Sequence, residues 1–339
     1  MTVSVRDVAS AASVSVGTVS NVLNRPEKVA PSTVARVTAA IEELGFVRND
    51  AARQLRAGHS RSIGLVVLDV RNPFFTDVAR GAEDRAAEDG MTILLGNSDE
   101  NTDRERAYLD LFEEQRVAGV LISPLADDLP RLQRLRDRGT TVVLVDREVP
   151  DQSFSSVAVD DVIGGYLAVR HLLDTGRRRI AFVGGPASIR QVADRFEGAR
   201  RAVAETDDAV LEVVATESLT VLAGRAAGES VRERAASDRP DAIFAANDLL
   251  AMGVLQALMM QGGIDVPGEI ALIGYDDIDF ASAAVVPLSS IRQPASLIGH
   301  TAVDLLLREA SLGEGFEREQ IVFKPELVVR ESTAIRAIA

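Results

Sequence analysis

Val14-Ser15-Val16-Gly17-Thr18-Val19-Ser20-Asn21-Val22-Leu23-Asn24, residues 14–24, carries a complete helix signal. Ser15 is an N-cap candidate, and Val19, Val22 and Leu23 lay one apolar stripe along a helix of about 16–24. Thr18, Ser20 and Asn21 are left pointing outward. Upstream, Ser4 precedes Val5, Val8, Ala9 and Ala12 at i, i+3, i+4 and i+7, with Asp7 in the position of a capping-box acid. Downstream, Pro31 opens a third helix with Val34, Val37, Ala40, Ile41 and Leu44 inward, and Gly45 closes it. Three short helices with a tight turn between the first two predict a helix-turn-helix unit, whose second helix enters the DNA major groove with its N-terminal end nearest the bases.

Charge supports that division. The chain has 339 residues and a formal charge of −14. Residues 1–62 hold eight Arg or Lys against five acids, a net of +3, so the remaining 277 residues carry −17. A small piece that meets an anion is thus set apart from a large piece that does not. The length fits two or three domains, and 46% hydrophobic content is that of a folded chain. Cysteine is absent and His59, His171 and His300 are far apart, which excludes a disulfide framework and leaves no zinc-ligand spacing. No apolar run approaches the ~18 residues of a membrane span, and Met1 to Asp7 does not open a signal peptide, so a cytoplasmic protein is expected.

Val5-Arg6-Asp7-Val8-Ala9, the 14–24 stretch and Ala40-Ile41-Glu42-Glu43-Leu44-Gly45-Phe46 resemble the DNA-binding headpiece of the LacI/GalR family of bacterial transcriptional regulators. The resemblance runs through essentially the whole chain. It implies that Val16, Gly17 and Asn21 read bases and that Ser15, Thr18 and Ser20 mostly hold phosphates. Asn21 stands where Arg is frequent, and its amide can pair with adenine where Arg would favour guanine, which predicts an altered operator. Ser13 occupies a turn position where Gly is common, and Ala30 one where a capping Ser is common; both predict a slightly less stable headpiece. Residues 47–62 read by themselves as a polar linker or as a short helix with Ala51, Ala52 and Leu55 on one face. The resemblance makes this segment a hinge helix that pairs with its dimer mate in the minor groove, with Asn49 and Ala52 against DNA and Leu55 as a wedge between base pairs.

From Ile63 onward, short β-rich runs alternate with helical stretches: Ile63–Leu68, Thr92–Leu95, Gly119–Ile122 and Thr141–Val145, then Ile180–Val183, Ala242–Ala245 and Ala271–Ile273. Such runs predict parallel sheets covered on both faces. Crossings near Val157–Asp161, Ser289–Pro294 and Ile321–Pro325 predict two doubly wound α/β lobes, the first about 63–160 and 291–322, the second about 161–290 and 323–339. Domains are expected at 1–46 (headpiece), 47–62 (linker with hinge helix) and 63–339 (effector binding and dimerisation).

Ligands of parallel α/β lobes bind beyond the carboxyl ends of the strands. Asp69, Asn72-Pro73-Phe74-Phe75, Pro124, Asp127, Asp146-Arg147, Arg195, Asn247-Asp248, Tyr275-Asp276-Asp277 and Gln293 lie there. Each has an ordinary structural role open to it, as a turn, a core ring or a helix cap. Together they offer hydroxyl partners and aromatic faces. The resemblance implies an effector domain similar to periplasmic sugar-binding proteins. It puts Phe74, Arg147, Arg195, Asn247 and Asp276, with Asn72, Phe75, Asp248 and Gln293, around a small polar effector, of ribose or hexose type more than purine. No leucine heptads follow Ser332, so a homodimer is expected.

These features predict a repressor of a pseudo-palindromic DNA operator, with a sugar as effector and no cofactor, metal or catalytic residue. A regulator that needs a corepressor or a phosphoprotein partner is a variant of that reading. A free-standing solute-binding module conflicts with the headpiece. An enzyme would need a glycine-rich phosphate loop or a histidine beside a nucleophile, and the sequence has neither.

Overall fold

The computed structural model describes residues 3–46, 60–125, 129–148 and 153–334. The chain divides into two compact units, Met1–Ser60 and Arg61–Ala339.

In the first unit, α1 (Val5–Ala11) begins with a true capping box: the Ser4 hydroxyl accepts from the Asp7 amide while the Asp7 carboxylate takes the Ser4 amide at 2.8 Å. The turn to α2 (Val16–Asn24) places Ser13 in left-handed backbone at φ 52°, and Val14 N–H donates to the Ala9 carbonyl. Ser15 caps α2, accepting from Thr18 N–H at 3.0 Å. The third helix, α3 (Pro31–Leu44), has proline in its first turn and Gly45 at φ 61° as its left-handed stop. Its N-cap is Ala30, which has no side chain to satisfy the free amides there. Val8, Ala9, Ala12, Val19, Val22, Val37 and Ala40 form the core, and Arg36 Nε ties α3 to the Ala12 carbonyl at 3.0 Å.

The second unit is a pair of α/β lobes. The first sheet contains β1 (Ser62–Val67), β2 (Thr92–Asn97), β3 (Gly119–Ile122), β4 (Thr141–Val145), β5 (Ser155–Val159) and β11 (Gln320–Phe323), in the order β11-β5-β4-β3-β1-β2 and all parallel. The second contains β6 (Arg179–Gly184), β7 (Val210–Ala215), β8 (Ala242–Ala245), β9 (Ala271–Asp276), β10 (Ser289–Arg292) and β12 (Glu326–Val328), in the order β12-β10-β9-β8-β6-β7, with only β12 antiparallel to its neighbour. Strand alternation serves both faces of the first sheet. Leu65, Leu121 and Val143 enter the large core that runs through both lobes, while Val66, Ile122 and Leu144 turn to a second cluster around Phe112 and Phe154.

Three helix pairs come together backbone to backbone. The helices are α4 (Pro73–Glu88), α5 (Thr102–Glu114), α6 (Leu129–Asp137), α7 (Asp161–Asp174), α8 (Arg190–Ala204), α9 (Val221–Arg232), α10 (Asp248–Gly262), α11 (Asp279–Ser282) and α12 (Ala295–Leu312). A methyl on Gly165 of α7 would overlap the Arg195 carbonyl, and one on Gly198 of α8 would overlap that of Val162. Gly81 and Gly299 do the same for α4 and α12, and Gly224 and Gly253 for α9 and α10. Among the described residues no helix is long and apolar enough to cross a membrane.

Candidate functional site

The exposed face of α2 begins at its N-terminus. Val16, Gly17 and Asn21 are exposed, Thr18 and Ser20 half-buried, with Val19 and Val22 turned into the core. The Ser15 and Thr18 hydroxyls lie 2.9 Å apart, and Asn24 Nδ2 donates to the Ser20 carbonyl at 2.8 Å. A Cβ on Gly17 would meet only the Ser15 hydroxyl, at an ordinary 3.6 Å, so packing inside the headpiece does not require glycine there. Asn49, Ala52 and Leu55 lie outside the described residues.

In the α/β unit, a cavity opens beyond the carboxyl ends of β1, β4, β6, β8 and β9. Leu68, Phe74, Phe75, Ile189 and Leu219 give it apolar walls, and Asp69, Asn72, Glu100, Asp146, Gln191, Arg195, Asn247 and Asp276 its polar ones. Two sets of hydrogen bonds cross it from lobe to lobe. Asn72 Nδ2 donates to Asp276 Oδ2 at 2.8 Å, and Gln191 Nε2 donates to the Asp146 carbonyl at 2.6 Å and to Asp146 Oδ2 at 2.9 Å. Both carboxylates at these crossings sit in left-handed backbone, Asp146 at φ 57° and Asp276 at φ 102°. Strain of this kind collects at ligand clamps.

Arg195 is the hub. Its Nε donates to Asp161 at 2.7 Å and Nη1 to the Ala246 carbonyl at 2.7 Å; Nη1 is also 3.8 Å from Asp276, and the guanidinium stacks 3.7 Å from the Tyr275 ring centre. Burial would lower its pKa, but Asp161 and the surrounding carboxylates reverse this and raise it above its ordinary value. Burial pushes Asp146 well above the usual carboxylate range, with Asp161 adding to the shift and Arg195 opposing it. Asp161 and Asp276 are raised for the same first reason, Arg195 again opposing. Glu100, at the rim, is raised to about 6 by burial and by Asp69.

Asn72, Phe74, Phe75, Arg195, Asn247 and Asp276 of the expected set come together here. Asn72 and Asn247 also cap helices, accepting from Phe74 N–H at 3.1 Å and Leu250 N–H at 2.9 Å. Three expectations need correcting. Asp248 does not reach the cavity: it is fully buried, accepts from Ser290 Oγ at 2.7 Å and Ile278 N–H at 2.9 Å, and so braces the loop after β9. Arg147 is absent from this lining and lines an adjoining cavity with Glu148, Asp160, Asp161, Arg190 and Asp194, to which Asp146 and Gln191 also contribute. Gln293 stands behind Asp276, donating to its Oδ1 at 2.8 Å, and faces a separate opening with Phe74 and Arg292. Glu100, Ile189, Gln191 and Leu219 went unread in the sequence. Gln191 had a signal, lying four residues before Arg195 on one helix face.

A helix-turn-helix unit in one chain with a two-lobed α/β domain that encloses a polar cavity defines a ligand-responsive DNA-binding regulator. Residues 4–49 match the family described as bacterial regulatory proteins, lacI family, and residues 169–333 the periplasmic binding protein-like domain. The chain belongs to the lacI family of bacterial transcriptional regulators. It is 32% identical over 334 residues to the HTH-type transcriptional repressor PurR of Photobacterium profundum, spanning 97% of this chain and 98% of that one. It is 38% identical over 306 residues to the ribose operon repressor of Bacillus subtilis, spanning 89% and 90%. The crystal structure of the lac repressor dimer bound to operator and the anti-inducer ONPF superposes with a TM-score of 0.83 at 25% identity, over 99% of this chain and 100% of that one.

Proposed function

We propose that the chain is a cytoplasmic homodimeric repressor of a roughly palindromic operator, and that a sugar bound between the lobes controls its operator affinity. Ser15, Val16, Gly17, Thr18, Ser20 and Asn21 meet the major groove, and Asn49, Ala52 and Leu55 the minor groove. The effector lies against Phe74 and Phe75 and is held by Asn72, Arg195, Asn247 and Asp276, with Asp146 and Gln191 added to the expected set. The observation that carries this reading is the pair of interlobe links, Asn72–Asp276 and Gln191–Asp146, on the walls of one cavity. A ligand that exchanges hydrogen bonds with these groups changes the relative energies of open and closed lobes, and that difference is its leverage on DNA. Ligand and operator affinities are then reciprocally coupled, typically by about 1–3 kcal/mol. The names of the relatives, a ribose operon repressor and a lac repressor dimer on its operator, support the sugar, the operator and the dimer.

The test is selection from a library of palindromes with the full-length protein at one salt concentration, with and without a sugar panel. One palindrome selected, and released by one sugar, is the expected result. No palindrome selected under any condition would end the repressor reading. Leu55→Ala should weaken the selected palindrome far more than random DNA; equal losses on both would remove the wedge.

A further inference from the structure

The adjoining cavity, lined in part by the crossing at residues 158–163, has a charge balance of its own. Five carboxylates face it: Asp146 and Glu148 after β4, Asp160 and Asp161 where the chain enters α7, and Asp194 on α8. Its arginines are already engaged. Arg190 pairs with Asp194 at 2.9 Å and Arg201 with Glu197 at 2.8 Å, while Arg147 is buried and has interactions of its own. Asp161 is taken by Arg195 at 2.7 Å. That leaves Asp146, Glu148 and Asp160. Asp160 spends Oδ1 on the Ile163 amide at 2.8 Å, and Glu148 makes no ion pair among the described residues. Asp146 is buried, its Oδ2 accepts from the Gln191 amide, and its Oδ1 has no hydrogen-bond partner among the described residues. A buried acceptor left open in this way is ordinarily met by water or by a ligand. Leu129, Val159 and Val162 add an apolar wall.

We infer that this adjoining cavity is a second binding site, for an aliphatic ammonium compound of the diamine class, with a charged nitrogen among Asp146, Glu148 and Asp160 and its methylene chain on Leu129, Val159 and Val162. The site goes beyond the repressor reading and does not depend on what fills the effector cavity. An ammonium brings three N–H donors and no acceptor, which suits a wall with acceptors in surplus. Carboxylates crowded together without enough arginine are relieved by positive charge. No group of three or more His, Asp or Glu among the described residues is disposed to hold a metal ion, and an alkyl chain uses the apolar wall as a bare ion does not. Protons and the ammonium compete for the same oxygens. Burial raises the pKa of Asp146, with Asp161 and Asp276 adding to the rise and Arg195 and the Gln191 amide opposing it. Burial also raises Glu148, with Asp160, Asp194 and Asp161 adding and Arg190 opposing. The amine therefore displaces protons as it binds, and its affinity increases with pH. With Asp146 held ionised, Gln191 donates to a charged acceptor and the interlobe bond strengthens, so the amine is a second input to lobe closure.

The experiment is calorimetric titration of the full-length protein with putrescine and with the neutral butanediol of the same length, at about pH 6 and about pH 8 and one ionic strength, in buffers of different ionisation heat so that released protons are counted. Putrescine should bind and the diol should not, and affinity should rise by about tenfold per pH unit for each whole proton displaced. Glu148→Gln and Asp160→Asn, the second keeping a cap on α7, should each weaken putrescine by roughly two- to fivefold. Glu148→Gln should also lower the number of protons released. Asp103→Asn, which removes an exposed acid on α5, should change neither quantity. Failure of putrescine to bind overturns the inference, as does binding that is the same at both pH values. Equal losses in all three variants overturn it too, since they mark a general attraction to a chain of net charge −14. None of these results bears on operator selection, so the repressor reading stands or falls separately.

Discussion

Replacing Arg195 by Met keeps most of the side-chain volume and removes the charge on which the cleft depends. The wild-type guanidinium is buried, bonded to Asp161 at 2.7 Å and to the Ala246 carbonyl at 2.7 Å, and stacked on Tyr275. Removing one partner of a buried pair leaves the other uncompensated, which costs about 3–5 kcal/mol. Here three carboxylates, Asp161, Asp146 and Asp276, lose their common counter-ion, and all three already have pKa values raised by burial. Without Arg195 they rise further. A carboxylate whose folded pKa is raised above its unfolded value is destabilising once pH exceeds the folded value, and the penalty vanishes below the unfolded one. The loss should therefore be larger at about pH 8 than at about pH 5, where protonation relieves part of the repulsion. In urea, the transition of the α/β unit should move down by roughly 1–2 M at the higher pH. Arg195→Lys keeps the charge without the planar fork and should fall between, with pH dependence close to wild type. A loss under about 1 kcal/mol, or one equal at both pH values, would refute the uncompensated-carboxylate account.

In the headpiece, Ala30→Ser supplies the missing cap of α3 and should add about 1 kcal/mol, read in the full chain as roughly fivefold slower exchange of protected headpiece amides; unchanged exchange would show that the cap is satisfied some other way. Ser13→Gly relieves a left-handed turn worth about 1 kcal/mol, offset by added chain entropy, so a gain smaller than that from Ala30→Ser is expected by the same assay. Asn21→Arg should shift the base selected from random DNA at its position from adenine toward guanine, by about 1–3 kcal/mol in discrimination; an unaltered preference would place Asn21 off the bases. Gly165→Ala drives a methyl into the Arg195 carbonyl and should lower the stability of the α/β unit by about 1–3 kcal/mol or more, seen as an earlier thermal transition; a neutral result would mean that α7 and α8 can move apart freely.

The helices of the headpiece were legible because each carries local chemistry at both ends. Ser15 and the Val19, Val22, Leu23 stripe gave α2 as residues 16–24, and Gly45 marked the end of α3 at φ 61°. Most buried strands were legible as unbroken apolar runs, whereas β5 and β10, each opening with two serines, were read only as crossings. β7 and β12 were not legible. Val210–Ala215 is an edge strand with Glu212 within it and much of its surface exposed, so it never forms the run that marks a covered strand. The cleft was legible only in outline, because residues after a strand share a neighbourhood whether or not their side chains share a direction. Asp248 follows the N-cap Asn247 and its carboxylate turns into the fold to hold Ser290. Asp146 and Arg147 are adjacent in sequence, but only Asp146 lines the cleft as well as the adjoining cavity. Gln191 meets Asp146 across the two lobes, a tertiary contact that no local pattern encodes.

The reciprocal glycines of the helix pairs bear on how force passes through the α/β unit. Layers of packed helices ordinarily accommodate motion by shear, as interdigitated side chains take up small translations. Where Gly165 lies on the Arg195 carbonyl and Gly198 on that of Val162, or Gly81 and Gly299 do the same across α4 and α12, no side chain intervenes to take up the slip. Each lobe is thereby stiffened into a block, and displacement is left to the connections that pass between the sheets, at residues 160–161, 293–294 and 324–325. A small closure at the cavity is then delivered to a handful of backbone torsions instead of being dissipated within the lobes. The glycines make the domain a lever rather than a cushion.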